Sequence, residues 1–342
     1  MNILVTGSNG QLGTAIKRAV EIMGGNGHPD HDTSEKNYYI FATHGDLDIT
    51  KAEKVLDFVK ENHICVIVNC AAYTNVNGAQ DHIDEAYAVN AVGPMNLAIA
   101  AKAVGAVLIH ISTDYVFGGM YNEPLRPISQ KDAEAFVPVR RDDNFYGYSK
   151  LVGEDLIEHS GCKYLIFRTS WLYSEYGKNF LTTMYENSST ATRVKVVFDQ
   201  VGSPTNATDL ADFIMHIIQD NTHETRYLSK CGIYNFANIG VASWFDVAHE
   251  IFNKVKKNEH LITPCHSDEF PSPVVRPSYS VLDVTETEKE FDYYPRYWRV
   301  AIQDSINALK EKTKLKYEAM EAENTEYSYG HNVELRYGGG DE

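Results

Sequence analysis

Gly7-Ser8-Asn9-Gly10-Gln11-Leu12-Gly13 follows directly on the apolar run Ile3-Leu4-Val5. An unbroken apolar run of that length fits a strand covered on both faces, as in a parallel sheet flanked by helices. Three glycines at that first strand-to-helix junction each have a use. Gly7 permits the tight turn, Gly10 lets a ligand approach the backbone, and Gly13 lets the following helix pack on the sheet. The helix N-terminus then offers N–H donors and a positive dipole to a pyrophosphate. The spacing is G-x-x-G-x-x-G, not the common G-x-G-x-x-G, and a glycine-rich turn without a ligand is the plain alternative. Its position favours a dinucleotide site. The second strand closes on Phe41-Ala42-Thr43-His44 with neither an acid nor an arginine, so NADPH and NADH both stay open as cofactor. Asp48-Ile49 is expected against the adenine. The alternative for Asp46 and Asp48 is a solvated helix N-cap.

Strand patterns recur at Tyr38–Ala42, Ile64–Asn69, Val107–Ser112 and Tyr164–Arg168. Helical patterns lie between them, from about Gln11 to Met23, Lys51 to Asn62, Ile83 to Val104, and Tyr146 to Glu158. This alternation predicts an α/β fold: a Rossmann-like doubly wound parallel sheet with ligands at the carboxyl ends of its strands. From about Trp171 the alternation loosens and prolines accumulate (Pro204, Pro264, Pro271, Pro273, Pro277). Residues 1–170 are therefore expected to form the dinucleotide-binding domain. Residues 171–310 are expected to form a smaller, mainly substrate-binding part, interleaved with the end of the sheet. Residues 311–342 read as a charged, frayed helix and flexible tail. Gly24 to Asn37 reads as a polar surface loop, and its His28-Pro29-Asp30-His31-Asp32 as loop rather than metal site, since no helix fixes ligand geometry.

Composition limits the partners. With 31 basic and 47 acidic side chains the formal charge is −16, which repels nucleic acid. The longest apolar region, Ala86 to Ile111, is broken by Asn90, Asn96 and Lys102, so no membrane span is expected. Five cysteines without a C-x-x-C spacing fit a reduced, cytoplasmic protein without disulfides or structural zinc. The strand at Asn2–Val5 leaves no room for a secretory signal.

Tyr146 and Lys150 stand four apart in Tyr146-Gly147-Tyr148-Ser149-Lys150, on one face of a helix. A free tyrosine loses its proton near pH ~10, and an adjacent ammonium is expected to lower that value. In a reduction, Tyr146 would protonate an oxygen as hydride reaches its carbon, while Lys150 held cofactor ribose hydroxyls. Tyr148 has no lysine four residues on, where Val152 stands. Y-x-x-x-K alone is common by chance. The run Ser112-Thr113-Asp114-Tyr115 leaves the fourth strand where ligands gather. Thr113 could orient the reacting oxygen, and Asp114 and Tyr115 could touch substrate. Loop capping by Ser112 and Thr113 is the alternative.

Together these segments resemble the extended short-chain dehydrogenase/reductase superfamily and, more narrowly, the dTDP-4-dehydrorhamnose reductase family. Asn69-Cys70-Ala71-Ala72-Tyr73-Thr74, Arg168-Thr169-Ser170-Trp171, Asn179-Phe180, Asp199 to Thr205, and Arg276-Pro277 with Ser280-Val281-Leu282-Asp283 extend the likeness from Asn2 to about Leu309. The resemblance implies cofactor contacts from Gly10, Gln11, Leu12, Asp48, Ile49, Ala71, Ala72 and Tyr73. It implies a catalytic trio of Thr113, Tyr146 and Lys150. It implies sugar contacts from Asp114 and Trp171, and a diphosphate contact from Arg276, for which a surface salt bridge is the alternative. The implied reaction is NAD(P)H-dependent reduction of the C4 keto group of dTDP-4-dehydro-β-L-rhamnose to dTDP-β-L-rhamnose. Val76-Asn77 and Tyr279-Ser280 depart from the family's usual Val-Asp and Asn-Ser. No acidic set matches the family's magnesium-linked dimer, so no metal is expected, and a homodimer is left open.

Two rivals stand beside this reading. One is another nucleotide-sugar oxidoreductase or epimerase. Related dehydratases resemble one another in a Thr-Asp-Glu run, and Tyr115 replaces that glutamate here. The other is a non-catalytic dinucleotide-binding subunit, like the regulatory subunit of methionine adenosyltransferase that resembles this family.

Overall fold

Ile3 and Val5 point to one side of the first strand and Leu4 to the other, and all three are fully buried. Each such side chain contributes about 1.5–3 kcal/mol on burial, so this strand requires helices on both faces. A computed structural model describes residues 1–25, 37–118, 126–129, 132, 139–219 and 226–331, with side chains through Met320. Its main sheet contains β1 (Asn2–Thr6), β2 (Tyr38–Ala42), β3 (Ile64–Asn69), β4 (Val107–Thr113), β5 (Lys163–Thr169) and β6 (Gly232–Asn235). The order is β6-β5-β4-β3-β1-β2, with every neighbouring pair parallel. The order reverses between β1 and β3, which opens a crevice above their carboxyl ends.

The helices in chain order are α1 (Gln11–Ile22), α2 (Ala52–Glu61), α3 (Ile83–Tyr87), α4 (Gly93–Val104), α5 (Phe145–Ser160), α6 (Phe180–Ser189), α7 (Ala207–Gln219), α8 (Trp244–Lys256), α9 (Thr285–Phe291) and α10 (Trp298–His331). Leu12, Ile16 and Val20 of α1 and Leu210, Phe213 and Ile217 of α7 cover the Ile3/Val5 face. Val55 and Val59 of α2 and Leu97 and Ala101 of α4 cover the Leu4 face. Residues beyond Trp171 thus supply both the last strand of the main sheet and a helix of its core. A third apolar cluster joins Phe252, Trp298, Ile302 and Ile306. Around it, Val201–Gly202 pairs with Ala242–Ser243 and Tyr279–Ser280, Val194–Val197 with Ile262–Cys265, and Leu172–Tyr173 with Thr205–Asn206.

Two local expectations change. The helical pattern Ile83–Val104 is not one regular helix, because a π-helical turn at Ala88–Val92 separates α3 from α4. Asn90, inside that turn, accepts from the Tyr73 N–H (2.8 Å) and donates to the Tyr73 carbonyl (3.1 Å) and Ser149 Oγ (3.1 Å). A widened turn of this kind commonly marks a functional region. Second, α2 begins after Lys51, so neither Asp46 nor Asp48 caps it. Asp48 Oδ1 instead accepts from the Thr50 N–H and hydroxyl, and Asp46 Oδ2 from those of Thr43. The helix expected beyond Lys310 belongs to α10, which runs from Trp298 to His331. Residues 332–342, His28 to Asp32 and most of the two long loops lie outside the described residues. Among the described residues no helix is long and apolar enough to cross a membrane.

Candidate active site

The glycine turn and the segment behind β3 meet at the crevice. Gly7 has φ +63°, and a Cβ there would stand 2.6 Å from the Ala71 amide nitrogen, so only glycine fits. Gly13 serves differently from the sequence expectation. A Cβ at that position would meet the Gly7 carbonyl oxygen at 2.5 Å and Ser8 Cα at 2.6 Å, so it makes room for the turn itself rather than for the sheet. At Gly10 a Cβ would meet only the Gly7 carbonyl, at 3.2 Å. Gly10 caps α1 without a side-chain bond, no acid lies in the first turn, and Thr14 N–H to Gly10 carbonyl is the first helical bond. The N–H groups of Gln11, Leu12 and Gly13 are thus presented as a pyrophosphate requires. The Leu12 side chain is core, so only its backbone can face a ligand.

Gln11 Oε1 accepts from Ser174 Oγ (2.9 Å) and Asn179 Nδ2 (3.0 Å), tying the start of α1 to the loop before α6. Ile49 is buried against Gly93, and Asn96 Nδ2 donates to its carbonyl at 2.9 Å. Ala71, Ala72 and Tyr73 stay partly exposed beside the turn.

At the end of β4 the hydroxyls converge. Thr113 Oγ1 donates to Asp114 Oδ1 (3.1 Å) and accepts from the Tyr115 N–H (3.3 Å), so it caps the short turn Asp114–Phe117 as the local alternative supposed. It also lies close enough to the Tyr146 hydroxyl to pull its pKa down, which brings two sequence-predicted residues together. The Tyr115 and Tyr146 rings meet edge-on, with centroids 5.6 Å apart. A Cβ at Gly147 would sit 2.6 Å from the Tyr115 carbonyl oxygen, so glycine there lets α5 approach this turn. Asp114 is 3% exposed, faces Ser280, and has Oδ2 without a partner. Burial pushes its carboxyl up to about 6, against the hydrogen bonds from Ser280 and Thr113.

Lys150 departs from the sequence expectation. Its Nζ donates to the Ile111 carbonyl at 2.6 Å and lies 3.1 Å from His110 Nε2. Burial draws it down to about 8, while Glu154 and Cys70 pull it up. The Tyr146 hydroxyl is pushed above its ordinary range by burial, which outweighs the Thr113 hydrogen bond. The expected lowering by an adjacent ammonium is therefore absent. Glu154, one turn beyond Lys150, is buried in an ion pair with Arg168 (2.5 Å).

Trp171 has φ +49° and stacks on Trp244, with centroids 3.8 Å apart. A Cβ at Gly202 would reach both the Trp171 ring (2.8 Å) and Ser280 Oγ (2.6 Å), so Trp171, Gly202, Ser280 and Asp114 form a row. Beside it Trp171, Trp244, Phe180 and Pro204 line a cavity of about 220 Å³. Arg276 donates to Asn77 Oδ1 (3.2 Å) and stands close to the Tyr115 hydroxyl. Sequence reasoning assigned no role to His110, Asn90 or Glu154. A histidine inside the apolar run Val107–Ile111 was the one available signal.

A pyrophosphate-ready helix N-terminus and converging Thr113 and Tyr146 hydroxyls, on a parallel sheet with a topological switch, define the class: a nicotinamide-dependent oxidoreductase of the short-chain type. A family profile described as the RmlD substrate binding domain matches residues 1–311. The dTDP-4-dehydrorhamnose reductase of Mycolicibacterium smegmatis is 36% identical over 308 residues, covering 90% of this chain and 85% of the relative. The spore coat polysaccharide biosynthesis protein SpsK of Bacillus subtilis is 32% identical over 305 residues, 89% of this chain and 96% of SpsK. A crystal structure of a dTDP-4-dehydrorhamnose reductase from Clostridium acetobutylicum matches with a TM-score of 0.77 at 37% identity, covering 91% of this chain and 100% of that one. The Bacillus anthracis dTDP-4-dehydrorhamnose reductase in complex with NADP matches at 0.72 and 31% identity, covering 90% and 99%. The chain belongs to the RmlD family of dTDP-4-dehydrorhamnose reductases.

Proposed function

We propose that this chain reduces the C4 keto group of dTDP-4-dehydro-β-L-rhamnose, with Tyr146 delivering the proton, to give dTDP-β-L-rhamnose. The observation that carries the reading is the convergence of the Tyr146 and Thr113 hydroxyls at the carboxyl end of β4. NADH or NADPH supplies the hydride when bound. The backbone of Gly7, Gly10, Gln11, Leu12 and Gly13 would hold the pyrophosphate, Asp48 and Ile49 the adenosine end, and Ala71, Ala72, Tyr73 and Lys150 the nicotinamide half. On this reading residues 1–170 carry the cofactor, and most sugar-nucleotide contacts come from 171–310.

A proton donor must hold its proton at neutral pH, and the burial that raises Tyr146 favours that state. Thr113 and Tyr146 hydrogen-bond the C4 oxygen. As hydride reaches C4, the Tyr146 proton moves to that oxygen and an alcohol leaves. Solvent then reprotonates the phenolate. The unpartnered Asp114 Oδ2 accepts a sugar hydroxyl, Trp171 and Tyr115 bound the ring, and Arg276 faces the diphosphate. Tyr115 stands where an eliminating enzyme needs a carboxylate, which disfavours a dehydratase. On this reading Asp46, whose carboxylate is fastened to Thr43 just beyond β2, would accept the adenosine ribose 2′-hydroxyl and favour NADH.

The test is loss of nicotinamide absorbance with the sugar nucleotide generated in situ, running NADH and NADPH in parallel and identifying the product by NMR. Sugar-dependent oxidation giving the C4 alcohol is expected. Tight cofactor binding without oxidation would refute the substrate assignment. Interconversion of C4 epimers without net oxidation would indicate an epimerase.

A further inference from the structure

Behind Lys150 lies a closed chain of polar groups. Thr6, Asn69, His110 and Lys150 are each 1% exposed or less. Thr6 Oγ1 donates to Asn69 Oδ1 at 2.7 Å, and the Ala71 N–H donates to the same oxygen at 3.2 Å. Asn69 Nδ2 lies 2.9 Å from His110 Nδ1, and His110 Nε2 lies 3.1 Å from Lys150 Nζ.

The donors and acceptors in this chain can be counted. A peptide N–H only donates, so the end of Asn69 facing Ala71 is its oxygen and the end facing His110 is its NH₂. An amide nitrogen does not accept, so His110 Nδ1 presents its lone pair. A neutral imidazole carries one proton, which then sits on Nε2 and points at Lys150. An ammonium has three donors and no acceptor, so it would oppose that N–H directly. An amine accepts it through its lone pair and still donates to the Ile111 carbonyl. The remaining ionisable groups facing Lys150 are Cys70 behind β3 and Glu154 on its own helix, the latter ion-paired to Arg168.

We infer that Asn69 and His110 act as positioning residues that set the protonation of Lys150: Asn69 locks the imidazole with its proton on Nε2, and that N–H favours the amine over the ammonium. The inference rests on reading Lys150 as part of the reaction site. Burial independently favours the same two states. It draws Lys150 down to about 8 and holds His110 well below its usual range, so that the imidazole is neutral. The lysine then loses its charge under mildly alkaline conditions instead of near the ordinary value of about 10.4.

The experiment is NMR on the full chain with ¹⁵N-labelled histidine and ¹³C-labelled lysine, using His110→Gln and Lys150→Met to assign the two signals. The Nε2–H tautomer and a Lys150 midpoint near 8 are expected. In Asn69→Asp a carboxylate oxygen replaces the NH₂ facing Nδ1, so the proton moves to Nδ1 and Nε2 accepts from an ammonium. The Lys150 midpoint and the alkaline limb of turnover should both rise by about one pH unit or more. An Nδ1–H tautomer in the wild type overturns the inference. So does a raised midpoint in Asn69→Asp with the tautomer unchanged, which would trace the effect to the added charge alone. If that variant does not fold, the wild-type tautomer and midpoint still decide the matter. These NMR readings need no sugar substrate, so their failure is distinguishable from failure of the proposed reaction.

Discussion

Replacing Asp114 with asparagine should make the protein more stable at pH 8 and a poorer enzyme. The carboxyl is raised from 3.8 to about 6, chiefly by burial. Two pKa units at about 1.4 kcal/mol each correspond to roughly 3 kcal/mol against the buried charge. The sign follows from the direction. A group whose folded value lies above its unfolded value favours the fold below about 3.8 and loses that contribution as pH rises through 6. Asparagine keeps the acceptor for Thr113 but places an NH₂ where Oδ2 has no partner, and an unsatisfied buried donor costs about 1–3 kcal/mol. A net gain of about 1 kcal/mol remains above pH ~7, or about 2 °C in melting temperature for a chain of this size. Below pH ~4 both side chains are neutral and the advantage should vanish or reverse. Thermal unfolding of both proteins across that pH range reads the difference, and steady-state kinetics should show a raised KM for the sugar nucleotide. An asparagine variant no more stable than wild type above pH ~7, or a difference that does not change with pH, would refute the reasoning.

Tyr146→Phe keeps the ring packed on Tyr115 and removes only the proton, so turnover should fall by about 10²–10⁴-fold with cofactor affinity nearly unchanged by calorimetry. Turnover close to wild type would remove Tyr146 from the mechanism. For Asp46→Ser the ratio of kcat/KM for NADPH to that for NADH should rise about tenfold, since a carboxylate no longer opposes a 2′-phosphate. An unchanged ratio would show that cofactor choice is read elsewhere. Deleting residues after Lys316 should leave activity and melting temperature unchanged, because Leu309 is the last core side chain among the described residues of α10 and Thr313 still reaches Tyr185. A folded but inactive truncation would overturn this.

The half of the chain that carries the main sheet was legible because its strands are apolar runs of five to seven residues, long enough to separate from helical patterns. The pieces after Trp171 were not, since Leu172–Tyr173, Val201–Gly202 and Tyr279–Ser280 are two residues each and have no period to read. The π turn was invisible for a related reason. Asn90, inside it, bonds Tyr73 seventeen positions away, a contact that local propensity does not show.

The site divides along the same physical line. Spacing along one helix is a local property, so Tyr146 and Lys150 could be picked out four residues apart. Their electrostatics are not local. Burial decides the direction for both, and it comes from the packing of α5 on β4 and on the turn Asp114–Phe117 rather than from neighbours in sequence. Lys150 meets His110 across 40 positions, Arg276 meets Asn77 across 199, and Asp114 depends on Ser280 from a two-residue strand. An ammonium beside a phenol is therefore a sound expectation from spacing that the fold overrides. The fold places the lysine against an imidazole whose tautomer a third residue dictates. Residue type and spacing identify which groups take part. Which of them carries the proton at a given pH is settled by donors and acceptors that only the folded chain brings into reach.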